Sequence, residues 1–178
     1  MRTFVAIEVS DKDVLNSIHK IQTELNIKAK PVEPHNMHFT VQFLGEVSEE
    51  MIGKISDALN SIEFSSFSIS FASIGVFPKP NSPRVIWIGV TDGISELEKL
   101  AGIIRSKLSH LGFSPDKKFK PHVTIFRVKN KIEDISDKLE KFSSCYFGKQ
   151  TVSEIKLKKS ELTSTGPIYT DMLVVKGK

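Results

Sequence analysis

A mixed fold of helices and strands, built by internal duplication, is what this sequence predicts, and three observations predict it. Apolar stripes at helical spacing alternate with short β-rich runs along all 178 residues. After an opening strand the elements read helix, strand, helix, strand, strand, and then the same five again. A four-residue motif, HFTV at 38–41 and HVTI at 122–125, falls at the same place in each copy, 84 positions apart.

The opening run Thr3 to Val9 is apolar and rich in β-branched and aromatic residues, as a strand covered on both faces requires. Ser10 offers an N-cap to a helix carrying Val14, Ile18, Ile21 and Leu25 on one face, which ends before Pro31. A strand is expected over His38 to Leu44. Ser48 then caps a second helix, with Glu49 and Glu50 in its electropositive first turn and Ile52, Ile55, Leu59 and Ile62 along its stripe. Phe67 to Ser73 alternates as a half-buried strand does, and the segment FPKPNSPR reads as a turn leading into a strand over Arg84 to Val90.

The second copy opens with a helix bearing Leu97, Leu100, Ile104, Leu108 and Leu111, stopped by Gly112. A basic loop between Pro115 and Pro121 leads into the strand His122 to Val128. A shorter helix with Ile132, Ile135, Leu139 and Phe142 follows, then strands near Val152 to Lys159 and Ile168 to Val175 around a turn at Gly166 and Pro167. One domain over 1–178 is expected, its repeats spanning roughly 11–90 and 94–175.

Apolar residues make up 39% and charged residues 26%, a globular composition that excludes collagen-like and mainly disordered chains. The net charge of +4 suits an anionic partner without identifying one. A single cysteine, Cys145, excludes an internal disulfide and reads as a small hydrophobe. No signal-like apolar region opens the chain, and no run approaches the roughly 18 residues that cross a bilayer, so the expectation is cytoplasmic.

The motifs carry the chemistry. On a strand, positions i and i+2 share a face, so His38 stands beside Thr40 and His122 beside Thr124, while Phe39, Val41, Val123 and Ile125 point inward. Histidine, with an unperturbed pKa of about 6.5, moves protons near neutrality. Two histidines divide the work of opening a cyclic phosphodiester, one taking a proton from water and the other protonating the departing ribose oxygen. Threonine hydroxyls hold the non-bridging oxygens. Which histidine is acid and which is base stays open on spacing alone. The carboxylates near the motifs, Glu33, Glu46 and Asp116, stand at no ligand spacing, so neither a metal nor another cofactor is expected.

Other residues read differently. Strict alternation puts Phe126 on the catalytic face, where it would stack on a base or narrow the cleft. It turns Arg127 away unless a bulge intervenes. Lys117, Lys118 and Lys120 form a loop able to steer phosphates, with Lys120 next to the second motif. His19, His35 and His110 are expected at the surface and Phe39 in the core.

Beyond HFTV and HVTI, the stretches MRTFVAIEV, NMHFTVQFLGEV, IGVFPKPNSPRVIWIGV, FKPHVTIFRV and GPIYTDML resemble the RNA 2′,3′-cyclic phosphodiesterases, also called 2′-5′ RNA ligases, of the two-histidine phosphoesterase superfamily. The resemblance implies an α+β fold of two pseudo-symmetric lobes, each an antiparallel sheet with helices packed outside, the HxTx strands lining a central cleft. It also implies metal-independent hydrolysis of RNA cyclic ends to 2′-phosphomonoesters, with a reverse ATP-independent joining. It makes His38 the proton donor, His122 the proton acceptor and Arg127 a phosphate ligand. RNA is then the partner and a monomer the expected form. Two other readings stay open: a small cyclic phosphate or 2′-5′ oligoadenylate as substrate, and a non-catalytic RNA-binding module.

Overall fold

The computed structural model describes residues 1–115 and 117–178. In order, the elements are β1 (Arg2–Glu8), α1 (Lys12–Leu25), β2 (Lys30–Pro31), a one-turn 3₁₀ helix (Pro34–Asn36), β3 (His38–Glu46), α2 (Glu49–Asn60), β4 (Phe67–Lys79), β5 (Ser82–Val90), α3 (Ile94–Ser109), β6 (Val123–Arg127), α4 (Ser136–Lys141), β7 (Tyr146–Val152), β8 (Glu154–Thr163) and β9 (Gly166–Lys176).

Two antiparallel sheets result, ordered β3-β1-β8-β9 and β2-β6-β5-β4-β7. In each, a strand feeds a helix and returns beside itself: β1 through α1 to β3, and β5 through α3 to β6. The closing strands are exchanged. β4 follows β3 in sequence yet sits in the other sheet, and β8 and β9, which follow β6, complete the sheet of β1 and β3. Neither sheet can therefore assemble from one half of the chain.

The apolar stripes bury as their spacing requires. Val14, Ile18, Ile21 and Leu25 of α1 go under, against β6 and β7. Each such side chain contributes about 1.5–3 kcal/mol, so Ile18→Asp would break this contact. Leu97, Leu100, Ile104 and Leu108 of α3 pack across β3 and β4. No helix among the described residues is long and apolar enough to cross a membrane.

Several boundaries differ from expectation. Asp11, not Ser10, caps α1, its carboxylate accepting from the Val14 N–H at 3.0 Å, while the Ser10 N–H donates to Gln150 Oε1. The strand from Phe67 does not stop at Ser73. A bulge, with Ser73 at φ 70°, carries β4 on to Lys79, and most of FPKPNSPR forms the end of a long hairpin with β5. Ile132 lies before α4, which starts only at Ser136, where the Asp134 carboxylate accepts from its N–H. The strand expected near Val152 to Lys159 is two strands, broken at Ser153. β7 escapes the alternation rule because its register against β4 shifts beside Gly148.

Candidate active site

His38 opens β3 opposite Glu8 of β1, and Thr40 follows opposite Ala6. Phe39 and Val41 are buried, Phe39 stacking on Phe71 at 5.7 Å, and they fix the strand from behind. The ladder then slips: Val5 pairs with Gln42 and Ala6 with Thr40, so Val41 faces no partner. β6 repeats the device. Ile86 pairs with Phe126 and Trp87 with Thr124, leaving Ile125 unopposed.

These bulges decide which side chains reach the cleft. Alternation would bury residue 43 and expose residue 42, and likewise expose 126 and bury 127. With one extra residue in each strand the order reverses. Gln42 and Phe126 are buried, while Phe43 and Arg127, each five residues after its histidine, are exposed. Phe126, at 2% exposure, is thus a core residue and not the base-stacking ring that strict alternation suggests. Phe43 was not singled out by the sequence reading, yet it shares the face of His38 and Thr40, is 69% exposed and leans on Phe4. Its position relative to the motif, matching that of Arg127, was the available signal.

Both bulges are braced from behind. Arg105 of α3 donates from Nε (3.1 Å) and Nη2 (2.9 Å) to the carbonyl of Val41, and from Nη1 to the carbonyl of Lys117 (2.7 Å). Gln22 of α1 donates from Nε2 to the carbonyls of Ile125 (2.9 Å) and Val32 (3.1 Å).

The two imidazoles are held alike. Nδ1–H of His38 donates to the carbonyl of Asn36, and Nδ1–H of His122 to that of Lys120, each two residues back and each at 2.7 Å. A carbonyl only accepts, so Nδ1 carries the hydrogen and Nε2 is the proton-exchanging atom in both rings. His38 Nε2 lies 3.1 Å from Thr40 Oγ1. Aromatic walls flank each ring: Phe4 and Tyr169 at His38 (5.1 and 5.4 Å), Phe77 and Trp87 at His122 (5.3 and 5.9 Å). Gly75 makes the second wall possible, because a Cβ there would fall 2.1 Å from the Trp87 indole.

Burial pushes the His38 imidazole down to about 4. The Asn36 carbonyl opposes this, the charges of Lys158 and Arg127 add to it, and Glu8 opposes it weakly. Arg127 is thus electrically coupled to His38. Lys158 and Lys156 come from β8 and hold the carboxylates of Glu8 and Asp171 in a closed four-charge ring, Lys156 at 2.9 and 2.8 Å and Lys158 at 2.6 Å from Asp171 and in contact with Glu8. Burial alone would raise both carboxyl groups, but the lysine hydrogen bonds outweigh it and keep them ionised. Glu8, not Glu33 or Glu46, is thus the carboxylate facing His38. The sequence reading missed it.

His19, His35 and His110 are exposed, as expected. Lys120 contributes its carbonyl to His122, and its side chain is exposed beside the motif. Asp116 lies outside the described residues. Among the described residues, no group of three or more His, Cys, Asp or Glu side chains is placed to hold a metal ion.

A family model described as LigT-like phosphoesterase matches the chain twice, over residues 7–87 and 88–169. The chain belongs to the LigT-like phosphoesterases. Among curated relatives of this LigT-like phosphoesterase, the RNA 2′,3′-cyclic phosphodiesterase of Archaeoglobus fulgidus is 46% identical over 176 residues, 98% of this chain and 99% of that protein. The protein of the same name from Methanocaldococcus jannaschii is 41% identical over 174 residues, 95% and 96% of the two chains. A crystal structure from Thermus thermophilus superposes with a TM-score of 0.83 at 28% identity, covering 99% of this chain and 97% of that one.

Proposed function

We propose that this LigT-like phosphoesterase opens 2′,3′-cyclic phosphate ends of RNA to 2′-phosphomonoesters, without a metal, by proton transfer between His38 and His122. One observation carries the reading: two imidazoles 84 positions apart are fixed by the same backbone hydrogen bond, which leaves Nε2 of each for proton exchange, that of His38 lying 3.1 Å from Thr40 Oγ1. Acid-base chemistry needs such a pair, whereas binding alone does not. The curated relatives carry the name of this activity.

In the proposed step, His122 takes a proton from water as its oxygen bonds to phosphorus. The bond from phosphorus to O3′ breaks, and His38 delivers a proton to that oxygen, leaving the phosphate on O2′. Thr40, Thr124 and the fork of Arg127 hold the non-bridging oxygens. His38 is neutral in the free protein near pH 7, because its pKa is about 4. As donor it must take up its proton with the phosphate, whose negative charge offsets the pull of Lys158 and Arg127. Phe43 supplies an open aromatic face for the terminal base. A 5′-hydroxyl in place of water turns the same step into 2′-5′ joining. RNA is the partner in this reading, a monomer in the cytoplasm the working form, in keeping with the unpaired Cys145.

The test is product identity. A short RNA with a cyclic end, incubated in excess EDTA, is expected to yield the 2′-phosphate, separable by chromatography from the 3′-isomer. Formation of the 3′-phosphate, or no ring opening without added metal, contradicts the proposal.

A further inference from the structure

Beside His122 a groove of about 390 Å³ runs between β5, the start of α3 and the segment preceding the second motif. We infer that it is a second nucleotide subsite, taking the nucleotide that precedes the cyclic end of a single-stranded RNA. The inference rests on the phosphodiesterase reading, because that reading fixes the cyclic phosphate at the histidines.

Three observations point to this occupant. First, the groove is continuous with the site: Trp87 forms one wall of His122 and also lines the groove, as do Lys120 and Pro121, the residues just before it. Second, the chemistry divides as a nucleotide does. The lining is apolar at Gly89, Val90 and Phe119, where a Cβ on Gly89 would press to 3.3 Å from the Ala72 carbonyl, and it includes one carboxylate, Glu98, against two lysines. Such surfaces receive a base, and Lys118 and Lys120 at the rim receive its phosphodiester. Third, Ile94 is 38% exposed at the first position of α3 with its side chain on this groove. The groove volume lies in the range of about 300–1,000 Å³ typical of sites for nucleoside-sized ligands.

The experiment compares kcat/KM for a nucleoside 2′,3′-cyclic phosphate with that for a trinucleotide ending in the same cyclic phosphate. It uses the wild type and the variant Ile94→Glu. A glutamate at the N-terminal position of α3 suits the helix dipole, so the fold is kept, and a melting curve verifies it. The wild type is expected to prefer the trinucleotide by about tenfold or more, as one stacked base and its phosphate allow. The variant is expected to lose most of that preference while turning over the mononucleotide within about twofold of wild type. Equal use of both substrates by the wild type, or a preference that survives in the variant, overturns the subsite and leaves the phosphodiesterase reading standing. Turnover of neither substrate by the wild type removes that reading, and the subsite with it.

Discussion

Arg105 grips the carbonyl oxygen of Val41 with two guanidinium nitrogens, at 3.1 and 2.9 Å, and Val41 is one of two residues, with Leu44, that the β1–β3 ladder skips. Gln22 Nε2 donates to the carbonyl of Ile125, the residue skipped in β6, which also accepts from the Val32 N–H at 2.9 Å. Bulges leave a residue outside the ladder, and a carbonyl left without a donor in the core costs about 1–3 kcal/mol. Two helices thus hold the irregularities that leave Phe43 and Arg127 exposed.

Gln22→Leu tests this most cleanly, because Gln22 is buried and leucine is close in size. The variant is expected to lose about 0.5–1.5 kcal/mol in urea unfolding, because the Val32 N–H still holds the Ile125 carbonyl. Its KM for a cyclic-ended substrate should rise with a smaller change in kcat, because the bulge that precedes Arg127 then keeps only one of its two donors. An equal stability loss with unchanged kinetics would make the brace structural only.

Phe43 and Phe126 invite opposite expectations. Phe126→Ala opens a core cavity and should cost about 3–5 kcal/mol of stability. Phe43→Ala should leave the melting temperature nearly unchanged and raise KM for nucleotide substrates, by about tenfold if a base stacks there. Arg127→Ala is expected to lower kcat/KM by roughly a hundredfold, and Arg127→Lys to restore little of it, because one ammonium cannot replace the planar fork. Steady-state kinetics and thermal melts on the four variants separate these cases.

The depressed His38 has a consequence for stability. Its folded pKa of about 4 lies below the ordinary value of 6.5, so as pH falls the unfolded chain takes up the proton first. Stability is expected to be flat above pH 6.5 and to decline between 6.5 and 4. Glu8 and Asp171, held low by Lys156 and Lys158, add a loss as pH falls through the carboxylate range. Urea unfolding at pH 7.5 and 4.5 should show the wild type losing about 2 kcal/mol more than His38→Gln. Equal losses in both proteins would mean that His38 titrates normally.

Sequence patterning reached far here, and its failures have two causes, broken ladders and long-range pairing. Apolar periodicity located all four helices and nearly every strand because burial is local to each element. The paired motifs stood out because a duplicated fold repeats its spacing. Alternation assumes an unbroken ladder, however, and the bulges at Val41 and Ile125 break it at the residues that matter, so Phe126 is expected on the wrong face and Phe43 draws no notice. The bulge on which the reading of Arg127 depends is present at Ile125. Glu8 and the lysines of β8 were hidden by pairing across the exchange of strands: Lys156 and Lys158 lie about 150 residues from Glu8, beyond any periodic signal. The brace by Gln22 and Arg105 had the same obstacle, although the two occupy matching places in α1 and α3.

The central claim is that both imidazoles are needed and no metal is. Ring opening of a short RNA bearing a 2′,3′-cyclic phosphate, measured in excess EDTA with wild type, His38→Ala and His122→Ala in parallel, tests it directly. The account predicts full wild-type activity and losses of about 10²- to 10⁴-fold in each variant. An inert wild type that divalent metal restores, or a variant that retains its rate, would contradict it.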